Sequence, residues 1–209
     1  MSIIDEMWYM HLKSFDFVDI EEPLYCNITG GLDSRVLAGV ARHLGYKIAD
    51  GHYAFAKNTK DNIDYVEAIH KALDYKNFHY YLRPFSWEGT KRKDLGKYIY
   101  LFHPFGNFST GMYRNRSFLR EKWFSRMPRV FEAEKYFKKV VQPFDNIFYV
   151  GYMTNLPMRY HFQQYGYRMM IKKYLPDLWD IPRCFEKGQK PVPLNYYIPR
   201  RMWNKLWKR

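Results

Sequence analysis

The feature that most constrains the fold is a glycine-rich turn that joins a short apolar segment to an amphipathic one. Residues 24–28 follow Pro23 and are apolar enough for a buried strand, and residues 29–31 (Thr-Gly-Gly) are a strong turn signal. Apolar residues then repeat at intervals of three and four over residues 34–44, which is the period of an amphipathic helix, and Gly45 suits its C-cap. A strand, a tight turn and a helix in this order favour an α/β fold.

The same alternation continues along the first part of the chain. Residues 47–55 are predicted to form a second strand, residues 61–73 a second helix and residues 77–82 a third strand. Strands that alternate with helices are typical of a parallel sheet with helices on its faces, connected by right-handed crossovers. We therefore expect a Rossmann-like α/β fold with an additional helix at the N-terminus.

After Pro84 the chain becomes aromatic and basic, and its patterns are mostly helical. The helices are predicted over residues 97–102, 117–124, 132–141 and 160–175. Residues 182–199 are rich in proline and glycine and are expected to wrap irregularly. The expected organisation is an α/β core with its N-terminal helix at residues 1–84, and a mostly helical remainder at residues 85–209 packed on the same core.

The composition excludes several classes of protein. A chain of 209 residues with 47% hydrophobic and 20% aromatic residues is too apolar to be disordered. It has no run of about 18 apolar residues that would predict a transmembrane helix, and its start lacks the basic and apolar regions of a signal peptide. The two cysteines, Cys26 and Cys184, match no metal-ligand spacing. We therefore expect no structural zinc and a reducing, cytoplasmic setting.

The glycine-rich turn has the chemistry of a phosphate-binding loop. The first turn of a helix carries free N–H groups and the positive end of the helix dipole, and both attract anions. Glycines let the backbone approach a phosphate, and the hydroxyls of Thr29 and Ser34 are further donors. Asp33 suits this place when a Mg²⁺ ion lies between its carboxylate and the phosphates. The residues predicted to bind phosphate are Thr29, Gly30, Gly31, Leu32, Asp33 and Ser34.

The turn differs from the two commonest phosphate loops. No Lys-Ser or Lys-Thr follows the glycines, as it would in a Walker A loop, and there is no G-x-G-x-x-G. The string from Thr29 to Ser34 resembles instead the S-G-G-x-D-S signature of the ATP pyrophosphatases, or PP-loop proteins, with Thr29 in place of the first serine. Continued through Arg35, a further candidate for a phosphate contact, it is most similar to the synthetase domain of the asparagine synthetases. That resemblance implies an adenine nucleotide alpha hydrolase-like fold, with ATP and Mg²⁺ bound at this loop.

The resemblance also implies a reaction. Members of this branch activate a carboxylate as an acyl-adenylate, release pyrophosphate and form an amide when an amine or ammonia attacks. By this resemblance the chain is an ATP-dependent carbon–nitrogen ligase that takes ATP and a small carboxylate. It begins Met-Ser-Ile, without an N-terminal cysteine nucleophile, and has no room for a glutaminase domain. We therefore expect the ammonia or amine to come from elsewhere, for example from a separate protein.

Later segments resemble the same family in the same order. Asp61 or Asp64 opens the second helix, which implies Asp61 as a second magnesium ligand, and His79 follows in the next strand. Residues 143–145 resemble the family's P-F-L-D turn, and residues 167–176 resemble its late helix, which ends in Leu-Pro. The resemblance implies that the far side of the site, with catalytic roles, is formed by Asp145, Arg159, Arg168 and Lys172.

Two departures from the family pattern leave alternatives open. The acidic S-G-x-G-x-D-E stretch of the family has no clear match over residues 84–140, and Gln164 falls where the family has a catalytic lysine. One alternative is an RNA-modifying PP-loop ATPase that binds tRNA, which the net charge of +13 favours. The other is a catalytically degenerate scaffold that binds nucleotide without turnover.

Overall fold

The computed structural model describes residues 1–55, 60–102, 130–161 and 164–182. The strands within these residues are β1 (Leu24–Cys26), β2 (Ile48–Asp50), β3 (His52–Phe55), β4 (His79–Leu82), β5 (Ile99–Leu101) and β6 (Lys139–Val141). The helices are α1 (Ile3–Ser14), α2 (Leu32–His43), α3 (Lys60–Ala72), α4 (described over residues 130–134), α5 (Ile147–Asn155), α6 (Met158–His161), α7 (Tyr165–Tyr174) and α8 (Pro176–Trp179). Within this part of the chain, no helix has the length and apolarity needed to cross a membrane.

The strands form two parallel sheets, and β1 is an inner strand of the larger one. The four-stranded sheet has the order β2-β1-β5-β6, and the two-stranded sheet pairs β3 with β4. The strand order along the chain reverses between β1 and β5, so the connections leave β1 and β5 in opposite directions. In parallel α/β sheets this switch point marks the crevice in which ligands bind. The predicted Rossmann-like α/β fold is thus confirmed.

Gly51 lies between β2 and β3, where the two sheets meet. The Ile28 N–H donates to the His52 carbonyl oxygen at 3.0 Å, and the His79 N–H donates to the Gly51 carbonyl oxygen at 2.9 Å. A Cβ atom at Gly51 would collide with the Cys26 carbonyl oxygen of β1. Only glycine therefore lets the chain between β2 and β3 approach β1 this closely. The predicted strand over residues 47–55 is therefore split into β2 and β3 at this position.

The two faces of the sheet have different chemistry. On what we call the aliphatic face, alternate residues of β1 and β5 (Leu24, Cys26, Ile99 and Leu101) pack against α1, α2, α3, α5, α7 and α8. On the opposite, aromatic face, Tyr25 and Tyr100 pack with Trp87, Leu95, Tyr98, Ala133 and Phe137. Among the described residues, α4 and the irregular segment of residues 83–98 cover the aromatic face. Both faces are therefore buried, and in this part of the chain the long helices lie on the aliphatic face.

Three of the predicted helices need correction. Residues 97–102 begin at the last residue of a 3₁₀ turn (Leu95–Lys97) and then form β5. All residues of β5 are buried, so the strand lacks the alternation of apolar and polar residues that would have identified it. The predicted helix over 132–141 is helical only to residue 134 and then becomes β6. The predicted helix over 160–175 is interrupted, because α6 ends at His161 and α7 begins at Tyr165. Residues 117–124 and nearly all of 182–199 lie outside the described residues.

Candidate functional site

The predicted phosphate loop lies at the carboxyl end of β1, beside the switch point of the sheet. Residues 29–31 leave β1, and α2 begins at Leu32 with Gly31 as its N-cap. Since the N-cap is a glycine, it supplies no side chain to the first-turn N–H groups of α2. Gly30 and Ser34 are buried, whereas Thr29 is exposed at the mouth of the loop. This is the arrangement in which a helix N-terminus and adjacent backbone bind an anion.

The hydroxyl groups of the loop hold its shape. The Ser34 Oγ accepts the Thr29 N–H at 3.0 Å, lies 3.0 Å from the Thr29 Oγ1 and donates to the Thr29 carbonyl oxygen at 3.3 Å. The Thr29 Oγ1 in turn accepts the Gly31 N–H at 3.4 Å. The sequence had suggested that both hydroxyls donate to a phosphate. In the structure both form hydrogen bonds inside the loop. The N–H groups of Thr29 and Gly31 donate to these hydroxyls, so the first turn of α2 supplies the principal backbone donors for a phosphate.

Asp33 provides the acidic group of the loop. It is half-buried in the first turn of α2, and the Gln164 Nε2 lies 3.5 Å from its Oδ1. The described residues contain no group of three or more acidic, histidine or cysteine side chains that would hold a metal by themselves. Magnesium needs only one or two carboxylates when substrate phosphates complete its coordination, so Asp33 fits an ion that arrives with a nucleotide. The side chain of Asp61, the second predicted ligand, lies outside the described residues, and Asp64 is exposed on α3.

A cavity of about 480 Å³ opens beside the loop, at residues that follow β1, β4 and β5. Its rim includes Thr29, its charged wall residues are Arg83 and Glu132, and rings supply most of the rest. The lining is Asn27, Ile28, Thr29, His52, Ala54, Arg83, Pro84, Phe85, Trp87, Tyr100, Phe102 and Glu132. An aromatic cavity with a few convergent polar groups, next to a phosphate-type loop, is the usual form of a nucleotide or cofactor site.

The aromatic rings of the cavity are fixed by specific contacts. The imidazole of His52 stacks on Phe85 with 4.6 Å between ring centroids, and the Tyr100 hydroxyl donates to the Asn27 Oδ1 at 3.2 Å. Burial, followed by the charges of His79 and Arg92, lowers the pKa of His52 to about 3, so its ring is neutral. Burial raises the pKa of Tyr25, whose hydroxyl therefore stays protonated, and this hydroxyl forms a hydrogen bond of 3.0 Å with the His52 Nδ1.

A buried charge cluster anchors the segment that carries Phe85 and Trp87. Asp50 is 1% exposed and accepts hydrogen bonds from the Gly51 N–H and the Arg92 Nη2, each at 2.7 Å. Arg92 also bonds both oxygens of Asp94 and lowers the pKa of that carboxyl to about 2. The His79 Nε2 lies 3.3 Å from the Asp50 Oδ1. The cluster fixes residues 90–94 against the sheet and so defines one wall of the aromatic face.

The other predicted site residues have different surroundings. On α7, the guanidinium of Arg168 and the Lys172 Nζ lie 5.9 Å and 5.6 Å from the Trp179 ring, with Arg168 buried and Lys172 exposed. Arg159 lies over the Tyr160 ring at 5.1 Å, and the Asp145 N–H closes a turn onto Gln142. The described contacts therefore join the loop to Gln164, while those of Arg159, Arg168 and Lys172 are with aromatic rings.

Arg35 has a structural position. It is 1% exposed and donates to the carbonyl oxygens of Leu178, Ile181 and Pro182 at 2.9, 2.6 and 3.1 Å. The guanidinium thus satisfies the carbonyl groups at the end of α8 and is turned away from the predicted phosphate contact. Five donors in a rigid fork suit such a cluster of carbonyls.

Sequence reasoning missed the cavity residues His52, Arg83 and Phe85. Arg83 directly follows β4, and residues that follow the strands of a parallel sheet gather at the ligand-binding edge. That position was the available signal for Arg83. His52 and Phe85 gave no such signal, because a buried ring in a core and a ring in a cavity wall look alike in sequence.

No protein-family model matches the chain, and no curated protein matches it. The relation of residues 29–35 to the ATP pyrophosphatases therefore stays a prediction from the loop itself.

Proposed function

We propose that this chain binds Mg·ATP at residues 29–34 and cleaves it between the α- and β-phosphates to activate a carboxylate for amide formation. The observation that carries the proposal is the loop closed by Ser34 on Thr29, at the N-terminus of α2 and at the switch point of the sheet. The same loop borders the aromatic cavity. A phosphate site and a site for a planar base are therefore adjacent, as one nucleotide requires.

In this proposal each part of the nucleotide has its own surroundings. The backbone N–H groups in the first turn of α2 hold the pyrophosphate end, and the helix dipole favours its negative charge. Asp33 holds the magnesium ion, which neutralises the phosphates and the charge that develops on the leaving group. The purine stacks among the rings of Phe85, Trp87 and Tyr100, whose planar faces suit an aromatic base.

The reaction consists of two displacements. A carboxylate oxygen attacks the α-phosphorus, the bond to the bridging oxygen breaks, and pyrophosphate leaves. An amine or ammonia then attacks the acyl carbon, the bond to the AMP oxygen breaks, and the amine proton passes to solvent. The protein's contribution is to hold the reacting groups in line and to stabilise the pyrophosphate charge. A reducing cytoplasmic setting is part of the proposal, and it agrees with the free, buried thiol of Cys26.

The test is the release of AMP from α-labelled ATP in the presence of Mg²⁺, ammonia and a panel of carboxylic acids. We expect AMP from the wild type with at least one acid, and its loss in Asp33→Asn. Asp16→Asn is the matched control, because Asp16 is an exposed acid just after α1, outside the loop, and should leave the rate unchanged. The stimulating acid identifies the substrate.

Two other results would replace this proposal with one of its alternatives. Binding of Mg·ATP without AMP formation for any acid indicates a nucleotide-binding scaffold without turnover. AMP formation that depends on tRNA, together with a gel shift that weakens as salt is raised, indicates the RNA-modifying alternative. Absence of nucleotide binding contradicts the assignment of residues 29–34 altogether.

A further inference from the structure

Asn27 lies between the predicted phosphate loop and the rings of the cavity. It directly follows β1, and residues 27–29 line the cavity one after another. Side chains alternate between the two faces of a strand, so Asn27 falls on the same face as Tyr25, two residues earlier. Its hydrogen bond with the Tyr100 hydroxyl agrees with this, because Tyr100 also lies on the aromatic face. Asn27 therefore places a polar group where the aromatic face meets the loop.

The two ends of the Asn27 amide have different surroundings. The Oδ1 accepts a hydrogen bond from the Tyr100 hydroxyl at 3.2 Å, and this contact fixes the orientation of the amide. Among the described residues, no group accepts a hydrogen bond from the Nδ2. An amide nitrogen is a donor only, so its partner has to be an acceptor. Because Asn27 is half-buried and lines the cavity, a ligand bound there can supply that acceptor.

The position of Asn27 matches one part of the nucleotide. In the proposed function the pyrophosphate lies at the first turn of α2 and the purine lies among the rings of the cavity. The ribose joins these two parts, so it lies along the wall between the loop and the rings. Of the neighbouring wall residues, Ile28 is apolar, and the Thr29 hydroxyl already bonds within the loop. The Asn27 amide is therefore the side-chain donor of β1 and its loop that faces the sugar.

We propose that Asn27 donates a hydrogen bond from its Nδ2 to a ribose hydroxyl and so selects ribonucleotides over deoxyribonucleotides; this rests on the proposed function. The Tyr100 hydroxyl acts on the other end of the amide, where it holds the Oδ1 and leaves the donor end for the ligand. Tyr100 is thus a positioning residue for Asn27. A nucleotide without the hydroxyl leaves a half-buried donor without its acceptor, which costs binding free energy.

The experiment compares three nucleotides. The Mg²⁺ complexes of ATP, 2′-deoxy-ATP and 3′-deoxy-ATP are titrated by calorimetry into the full chain, without a carboxylic acid, so that binding alone is measured. We expect the wild type to bind one of the deoxy nucleotides about fivefold more weakly than ATP, because one neutral hydrogen bond is lost. Asn27→Ala should bind ATP about fivefold more weakly than the wild type does, and should bind that deoxy nucleotide as tightly as ATP. The deoxy nucleotide that distinguishes the two proteins identifies the hydroxyl.

Two further variants separate this role from a structural one. Asn155→Ala is the matched control, because Asn155 is exposed on α5 and its Nδ2 donates to the Gly151 carbonyl oxygen, so all three affinities should stay as in the wild type. Tyr100→Phe keeps the ring but removes the hydroxyl that orients the amide, and it should reduce the preference for ATP without abolishing it. The proposal is overturned if Asn27→Ala weakens binding of ATP and of both deoxy nucleotides by the same factor, which indicates a role in the shape of the cavity.

The failure of the proposed function has a different signature. If the wild type binds none of the three nucleotides, both the function and the role of Asn27 are wrong. If the wild type binds all three with equal affinity, and Ser34→Ala weakens that binding, the nucleotide site is supported and only the role of Asn27 is wrong.

Discussion

The two faces of the sheet are stabilised by different kinds of interaction. The aliphatic face is a continuous cluster of buried apolar side chains under long helices, and its stability comes from area and close packing, which have no preferred direction. The aromatic face is stabilised by ring geometry and by the charge cluster of Asp50, Arg92 and Asp94 under an irregular cover. The cavity lies on the aromatic face, where Trp87, Tyr100 and Phe102 line it.

The largest effect is expected from breaking the charge cluster of the aromatic face. Asp50→Ala leaves the Arg92 guanidinium and the Gly51 N–H without their buried acceptor, so we expect the free energy of unfolding to fall by about 3 kcal/mol in urea titrations. The control is Asp177→Ala, which breaks the half-exposed pair with Arg42 and should cost less than about 1 kcal/mol. Equal losses would show that the aromatic face does not depend on this cluster.

A pH titration separates the two faces through one buried histidine on each. On the aliphatic face, burial lowers the pKa of His11 to about 4 from 6.5, its ordinary value in the unfolded chain. As the pH falls below 6.5 the unfolded state gains a proton that the folded state does not bind, so stability falls until about pH 4 and then levels off. Because His52 has a pKa of about 3, the loss on the aromatic face continues about one pH unit further.

The corresponding measurement compares urea unfolding at pH 7 and pH 4.5 for the wild type and His11→Gln. The glutamine amide can donate to the Met7 carbonyl oxygen and accept from the Tyr149 hydroxyl, as the imidazole does. We expect the variant to lose about 2 kcal/mol less than the wild type over this range, because it no longer has a titrating group there. A variant that loses as much as the wild type would assign the acid sensitivity to other groups.

The next effect distinguishes a hydroxyl of the loop from one of the aliphatic core. Ser34→Ala removes the group that closes the loop on Thr29, and Ser14→Ala removes a buried hydroxyl that donates to the His11 carbonyl oxygen at 2.7 Å. Both should lower the free energy of unfolding by about 1 kcal/mol. Only Ser34→Ala should also weaken Mg·ATP binding, by about tenfold in calorimetric titrations. If both weaken binding equally, the loop closure has no special role.

The smallest effect on stability is expected for a ring of the cavity. Phe85→Leu loses the stack on His52 and should cost less than about 1 kcal/mol, because Phe85 is only half-buried. We expect its nucleotide affinity to fall about fivefold, from lost stacking with the base. Phe17→Leu is the control, since Phe17 is exposed and stacks on Phe148 at 5.4 Å. An unchanged nucleotide affinity in Phe85→Leu would contradict the proposal that the base binds in the cavity.

Two helices of the aliphatic face, α2 and α3, were predicted well from the sequence, whereas α5 on the same face was not predicted. Helices α2 and α3 bury one stripe each, so their apolar residues repeat with the helical period, and both lie close to the predicted ranges. Strand β5 was mistaken for helix because it is buried on both faces and therefore shows neither period. The switch point lies between β1 and β5. Because β5 and β6 were not predicted from the sequence, the position of the loop at the switch point could not be predicted either.

The site was predicted in part, for a physical reason. Residues 29–34 are contiguous, so a local motif and its strand–helix context contain the information. Arg35 and Gln164 act through partners more than 130 residues away, and no local pattern shows where a guanidinium or an amide will point. For Gln164 the sequence placed the interruption of the helix over residues 160–175 at Gly166, whereas α7 begins at Tyr165 with Gln164 as its N-cap.

The contacts of Arg35 also bear on the order of events during synthesis. The guanidinium of Arg35 reaches its carbonyl partners only after residues 178–182 have been synthesised, about 145 positions later in the chain. Until then the first half of the protein contains a charged group whose acceptors have not yet been made, and leaving such a group unpaired in the interior is costly. A nascent chain that ends at residue 84 is therefore not expected to form a stable domain. Ribosome-bound fragments should therefore be sensitive to proteases until the end of α8 has emerged.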